Sequence, residues 1–318
     1  METGRDVRTP NFFVVGASRS GTTSLWQYLA AHPDVFLPGG DMSAKEPSYY
    51  CDLKPRWAAP YDTLDAYLKL FAPAKAERAV GEASTAYLVA PESPGRLRRA
   101  YPGARIVIVL RNPADRAYSL YRYLCLLGVE WIPTFERALE AEEARRKDVR
   151  FRAENAFWYY AYLYFTTGLY AGQVARYLAE FPRAQVHVLL CDDLYRDPVT
   201  TCQEVYRFLG VDAGFRPHTE RYYNESQFPL SVGVQYRLGR VWSRHPMHAV
   251  VKNDRRTALR RKLFLLNARL GAWRPRRFAP ETRARLMAGY RQDIERTSGL
   301  IGRPLDHWLD GGGVGRGA

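Results

Sequence analysis

Short runs of β-branched and aromatic residues alternate along this chain with longer stretches whose apolar positions recur every three to four residues. That alternation is the pattern of βαβ units around a parallel sheet. Asn11–Val15 (NFFVV) predicts a first strand, and Thr22–His32 follows with Leu25, Trp26, Leu29 and Ala30 on one helical face. An extended piece at Val35–Leu37, a helix around Thr63–Phe71, a strand near Arg78–Val80 and a helix over Pro94–Tyr101 come next. Ala104–Arg111 (ARIVIVLR) is apolar through its middle, which predicts a central strand covered on both faces. Asn112-Pro113 opens a long helix, Thr134–Lys147 reads as a charged surface helix, and Ala156–Phe181 reads as helical, aromatic-rich and punctuated by Gly168 and Gly172. Gln185–Leu194 predicts another buried strand, followed by a helix that Asp197 caps, Pro198 starts and Gly210 stops. After Val211 the pattern loosens into a long loop and a basic stretch before a last helix from Pro280 to about Arg296.

These elements predict an α/β fold: a central parallel β-sheet of about five strands flanked by helices, in one domain over 11–310. A basic helical C-terminal lid would span about 230–277, and 1–10 and 311–318 would be disordered tails. No stretch reaches the ~18–20 apolar residues of a membrane span, and the start lacks a secretory apolar centre, so a soluble cytoplasmic protein is expected. Cys51, Cys125, Cys191 and Cys202 are widely separated without metal-ligand spacing, which predicts reduced thiols and no metal site. The six histidines likewise show no ligand spacing and are expected to be structural.

The formal net charge of +14 changes the picture only where it is concentrated. Residues 236–277 hold thirteen lysines and arginines against one acid, Asp254, and the rest of the chain is nearly neutral. No recognition pattern for nucleic acid accompanies that stretch, so no nucleic-acid partner is expected. Within Arg255–Leu270, Leu259, Leu263, Leu266 and Leu270 form an apolar stripe beside Arg256, Arg260, Arg261 and Arg269. Three readings stand: a solvated helix packed on the body by its leucines, a face for an anionic acceptor, or a peripheral membrane contact through 255–270.

Candidate chemistry begins at Gly16–Thr23 (GASRSGTT), directly after the first strand. The Gly16-x4-Gly21 spacing is that of a phosphate-binding loop, yet Thr22 stands where a nucleoside-triphosphate loop places lysine. Such a loop is either a plain glycine turn or a nest of backbone amides for a tetrahedral anion. Arg19 inside it and the hydroxyls of Thr22 and Thr23 favour the anion, and no strand ends in an aspartate suited to hold Mg²⁺. Arg111 lies at the C-terminal end of a central strand, where open α/β sheets bind ligands, and Ser119 lies in the helix that follows. A guanidinium and a hydroxyl suit a second phosphate, although singly each has a bland surface reading.

In order and spacing, FFVVGASRSGTTSLWQYLAAHPDV, KEPSYY, RIVIVLRNPADRAYSLYRY, GLYAGQVARYLAEFP and DDLYRDPVTTCQEVYRFLG resemble the sulfotransferase family, closest to its glycan and bacterial branch. The resemblance covers roughly 11–215 and the last helix. It implies transfer of a sulfuryl group from 3′-phosphoadenosine 5′-phosphosulfate (PAPS), without metal, to a hydroxyl of a carbohydrate, glycolipid or natural-product acceptor. It implies that Arg19 and residues Ser20, Gly21, Thr22, Thr23 and Ser24 grip the 5′-phosphosulfate, and that Arg111 and Ser119 grip the 3′-phosphate. Glu46 matches the family's general base, with Lys45 beside it for the moving sulfuryl group or for pairing Glu46. Ser48 occupies a position where that branch often has histidine. Gly81–Leu88 (GEASTAYL) matches a segment bordering donor and acceptor, which puts Glu82 and Tyr87 among the acceptor-binding candidates. Glu82 is a second acid/base candidate or simply the partner of a nearby arginine. The eight aromatics of Phe157–Tyr170 read as core, with an acceptor-lining role as the second reading. Two other function classes remain: a Mg-dependent P-loop small-molecule kinase, against which Thr22 speaks, and a catalytically inactive adenosine-bisphosphate-binding protein.

Overall fold

Phe12–Gly16 is buried at every residue and forms β1, the centre of the sheet. The structure, a computed structural model, describes residues 8–39, 42–52, 61–155, 159–219, 228–243, 255–271 and 278–310. β2 (Val35–Phe36), β3 (Ala79–Glu82), β4 (Arg105–Leu110) and β5 (Val186–Leu190) complete a five-stranded sheet in the order β2-β3-β1-β4-β5, with every pairing parallel. β4 is covered on both faces, as its unbroken apolar run predicts. Gly81 stands opposite Phe12, and a Cβ there would lie 2.5 Å from the Phe12 carbonyl oxygen, so only glycine lets β3 pair so closely with β1. From β1 the chain runs to the edge strand β2, returns to β3 beside β1, then crosses β1 to β4 and ends at β5. The strand order therefore reverses between β1 and β4, whose C-terminal ends carry Gly16 and Arg111. A topological switch point of this kind is where an open α/β sheet opens a ligand crevice.

The chain divides into two compact units: residues 1–111, 170–224 and 297–303, and residues 112–169, 225–296 and 304–318. The first holds the whole sheet. Its core packs Leu25, Tyr28 and Leu29 of the Thr22–Ala30 helix and Val205, Tyr206 and Leu209 of the Pro198–Leu209 helix against Phe12, Val14, Val107 and Val109. His32 is structural there: its Nδ1 accepts the Asp34 amide at 3.0 Å, and its Nε2 meets the Asp212 carbonyl at 2.9 Å. The four cysteines are buried, and none is in a disulfide among the described residues.

The second unit is helical. Asn112 caps Pro113–Leu126 by accepting the amides of Ala114 and Asp115, and Thr134 caps Phe135–Lys147 by accepting that of Arg137. Its centre is a saturated ion pair. Arg145 meets both oxygens of Glu130 at 2.8 Å, while Tyr164 Oη–H at 2.6 Å and the amides of Trp131 and Ile132 fill the remaining lone pairs. The rings of Trp131 and Tyr162 enclose the guanidinium, each 4.8 Å from it.

Two expectations are corrected. No continuous helix fills Ala156–Phe181: short 3₁₀ turns at Tyr159–Tyr162 and Thr166–Gly168 precede the helix, which runs Tyr170–Glu180. The carboxylate of Glu142 takes the amides of Phe165 and Thr166, amides that a helix would have paired internally. Tyr162, Tyr164 and Tyr170 are buried as core, whereas Phe157 and Trp158 lie outside the described residues. The strand expected over Gln185–Leu194 stops at Leu190, and Cys191–Arg196 is helical. The helical character expected of the basic stretch is present in two helices, Val232–Ser243 and Arg255–Gly271. Residues 244–254 and 272–277 of the proposed lid, with His245 and His248, lie outside the described residues, as do 1–7 and 311–318 of the tails.

Candidate active site

The turn after β1 is shaped by two glycines. Gly16 has φ 152°, and a Cβ on it would come 2.6 Å from Leu88 Cβ; Gly21 has φ 87° and begins the Thr22–Ala30 helix in the left-handed region. Between them Arg19 also adopts positive φ, 66°, a strained conformation for a residue with a side chain. What holds it is Arg111, whose guanidinium donates to the Arg19 carbonyl at 3.1 Å. The guanidinium at the end of β4 thus lies on the same side of the sheet as the turn after β1.

The helix that follows starts without a side-chain cap and without an acid in its first turn. Its amides and its positive dipole end stay available to an anion. The buried hydroxyls of Ser20 and Ser24 have no protein partner, an arrangement that fits the oxygens of a sulfate or phosphate group. Thr22 is buried and Thr23 half-buried at the same helix start.

Lys45 and Glu46 come to this turn from the segment after β2. Lys45, 3% exposed, donates from Nζ to Thr23 Oγ1 at 3.2 Å and to Glu46 Oε1 at 2.9 Å. Glu46, 7% exposed, accepts on Oε2 from Thr85 Oγ1 at 2.8 Å and from the Thr85 amide at 3.3 Å. The turn, which has no lysine of its own, is therefore met at Thr23 by an ammonium from elsewhere in the chain.

Behind Glu46 lies Glu82, at the end of β3 and fully buried. Its partners are hydroxyls and not an arginine. Tyr67 and Tyr87 donate to Oε1 at 2.9 and 2.7 Å, and Ser84 donates to Oε2. Burial pushes this carboxyl up to about 7; the three hydroxyl donors pull it down, and the Glu46 charge adds to the rise. The Ser84 hydroxyl also accepts the Ser48 amide at 2.9 Å, and Tyr87 Oη accepts the Tyr50 amide at 3.2 Å. Glu82 and its hydroxyl partners thereby hold the segment that carries Glu46.

The structure brings together Arg19, Ser20, Thr23, Lys45, Glu46 and Arg111, all in the first unit. Ser48, Glu82 and Tyr87 sit beneath them, buried. Ser119 lies buried on the Pro113–Leu126 helix of the second unit. Two participants have only weak signals in the sequence. Thr85 holds half of the Glu46 carboxylate, and its only sequence cue is its place three residues past Glu82. Tyr195 approaches the turn from the Cys191–Arg196 helix, its Oη 3.8 Å from where a Gly21 Cβ would stand. Burial pushes the Tyr195 hydroxyl up to about 12, against the pull of the Arg111 and Arg19 charges.

Residues 9–229 match the family model described as a sulfotransferase domain. Over 216 residues the chain is 28% identical to the human bifunctional heparan sulfate N-deacetylase/N-sulfotransferase 3, covering 64% of this chain and 22% of that protein. Over 209 residues it is 27% identical to the human heparan sulfate glucosamine 3-O-sulfotransferase 3B1, covering 64% of this chain and 46% of that protein. The chain thus spans less than half the length of these curated relatives. A crystal structure of a sulfotransferase from Alicyclobacillus acidocaldarius matches at 31% identity with a TM-score of 0.70, covering 95% of this chain and 99% of the other. With its switch-point turn and its sheet order, this chain belongs to the sulfotransferase family.

Proposed function

We propose that the protein transfers a sulfuryl group from PAPS to a hydroxyl or amine of a carbohydrate acceptor. One observation carries the reading: Lys45 bridges Thr23 of the anion turn and Glu46, which sets a base and a cation side by side at the start of an uncapped helix. The heparan sulfate relatives, named for a glycan substrate, support the acceptor class.

PAPS is the donor substrate in this reading and supplies a sulfuryl group whose leaving partner is adenosine 3′,5′-bisphosphate. The amides of residues 20–23 and the Ser20, Thr22, Thr23 and Ser24 hydroxyls hold the 5′-phosphosulfate, and Arg19 stabilises the charge that grows on the leaving phosphate. Arg111 binds the 3′-phosphate, a role the family resemblance also gives to Ser119. Glu46 accepts the acceptor's proton as the new bond to sulfur forms and the bond from sulfur to the 5′-phosphate oxygen breaks. Lys45 neutralises charge on the sulfuryl oxygens in flight. Glu82, Ser48 and Tyr87 act from behind, by fixing the Glu46 segment, in place of the direct acceptor contact expected for them.

Mass spectrometry of saccharide acceptors incubated with PAPS tests this. A gain of one sulfuryl group, matched by released adenosine 3′,5′-bisphosphate and absent in Glu46→Gln, is the expected result. Bisphosphate binding without product on any acceptor would move the protein to the inactive-binder reading. Phosphorylation with Mg²⁺ and a nucleoside triphosphate would move it to the kinase reading.

A further inference from the structure

The Arg255–Gly271 helix is mounted the opposite way from a helix packed by its apolar stripe. Asn267, Ala268 and Gly271 are its buried positions among the described residues. The Asn267 side chain is locked inward: its Nδ2 donates to Gln235 Oε1 at 2.7 Å and to the Ser231 carbonyl at 2.9 Å, and its Oδ1 accepts the Ser231 amide at 3.1 Å. At the end of the helix Gly271 passes so close to Phe228–Leu230 that no Cβ fits. These anchors turn the leucines outward. Leu259, Leu263, Leu266 and Leu270 are 58, 44, 50 and 46% exposed, and their spacing of four, three and four residues aligns them in one stripe.

The flanks of that stripe are basic. Arg260, Lys262 and Arg269 are exposed there, none forms an ion pair among the described residues, and Arg255–Gly271 contains no acid. By helical spacing Arg260 falls on one side of the leucines, and Lys262 and Arg269 fall on the other. Among the described residues no helix is long and apolar enough to cross a membrane.

We infer that this helix is a docking surface for an anionic bilayer. The leucines enter the headgroup boundary while the arginines and lysine meet lipid phosphates. A second copy of the chain fits less well: the stripe has coiled-coil spacing, but pairing would set basic flank against basic flank with no acid between them. The inference does not rest on the proposed reaction.

The test is cosedimentation of the full chain with vesicles of phosphatidylcholine and phosphatidylglycerol, beside phosphatidylcholine alone. The mixed vesicles should capture at least about tenfold more protein, and Leu263→Ser/Leu266→Ser and Arg260→Ser/Arg269→Ser should each lower capture by about tenfold. All four positions are exposed, so thermal unfolding of both variants should match that of the parent chain. Equal capture by both vesicles, no capture, or loss in the arginine variant alone would overturn the inference. So would a dimer, seen by light scattering, that the leucine variant dissolves.

Discussion

Two buried pairs of a carboxylate and a cation, one in each unit, show what separates support from chemistry. Glu130 is fully enclosed and its lone pairs are filled by Arg145, Tyr164 and the Trp131 and Ile132 amides, while aromatic rings close over the guanidinium. Glu46 takes one ammonium and one threonine, and its lysine reaches on to a turn lined by Ser20 and Ser24, whose hydroxyls have no protein partner. A saturated pair has nothing left to give a ligand and works by fixing the fold. A pair that shares its cation with an anion nest keeps capacity for substrate.

Breaking each pair should therefore give different phenotypes. Arg145→Met leaves Glu130 buried without its counter-charge and should cost about 3–5 kcal/mol of stability. Denaturant titration should show that loss while the remaining folded enzyme keeps its turnover. Glu46→Gln differs in its readout: turnover should fall at least ~10²-fold, about 2.7 kcal/mol in barrier, with bisphosphate affinity little changed. Near-parental turnover would dissolve the contrast.

Smaller effects sharpen it. Arg111→Ala removes a charged clamp and should weaken adenosine 3′,5′-bisphosphate by roughly tenfold to a hundredfold in calorimetry. Glu82→Gln tests the support beneath Glu46. The folded pKa of Glu82 is raised from 4.5 to about 7, so the folded chain holds this proton more tightly than the unfolded chain. Its contribution is then fully present below about 4.5 and is lost as pH rises through about 7. Across that window the parent chain should lose stability relative to Glu82→Gln, with a slope of at most about 1.4 kcal/mol per pH unit. A flat difference between the two would show that Glu82 ionises in the folded protein as it does in solvent.

Much of this was open to reading along the chain because the signals are local. The apolar run of Ala104–Arg111, the caps at Asn112, Thr134 and Asp197, and the Gly16-x4-Gly21 turn each depend on neighbours a few residues away. The break within Ala156–Phe181 was not legible, because it depends on the Glu142 carboxylate taking amides more than twenty residues away. Thr85 and Tyr195 were missed for the same reason: each becomes part of the site only when strand ends are brought together. For Glu82 the sequence leaves an acid/base role and an arginine partner both open, and its tyrosine and serine partners could be found only in space.

The sequence by itself determined the alternation that makes a parallel sheet and the glycine-framed turn after its first strand, since backbone propensity and short spacing suffice for each. Tertiary structure alone decided that Lys45 reaches the turn lacking its own lysine, that Arg111 grips the strained Arg19 backbone, and that the Arg255–Gly271 helix faces Asn267 inward and its leucines outward. Those outcomes depend on which surfaces meet once the sheet has formed, and a buried polar group must find its partner wherever the fold supplies one.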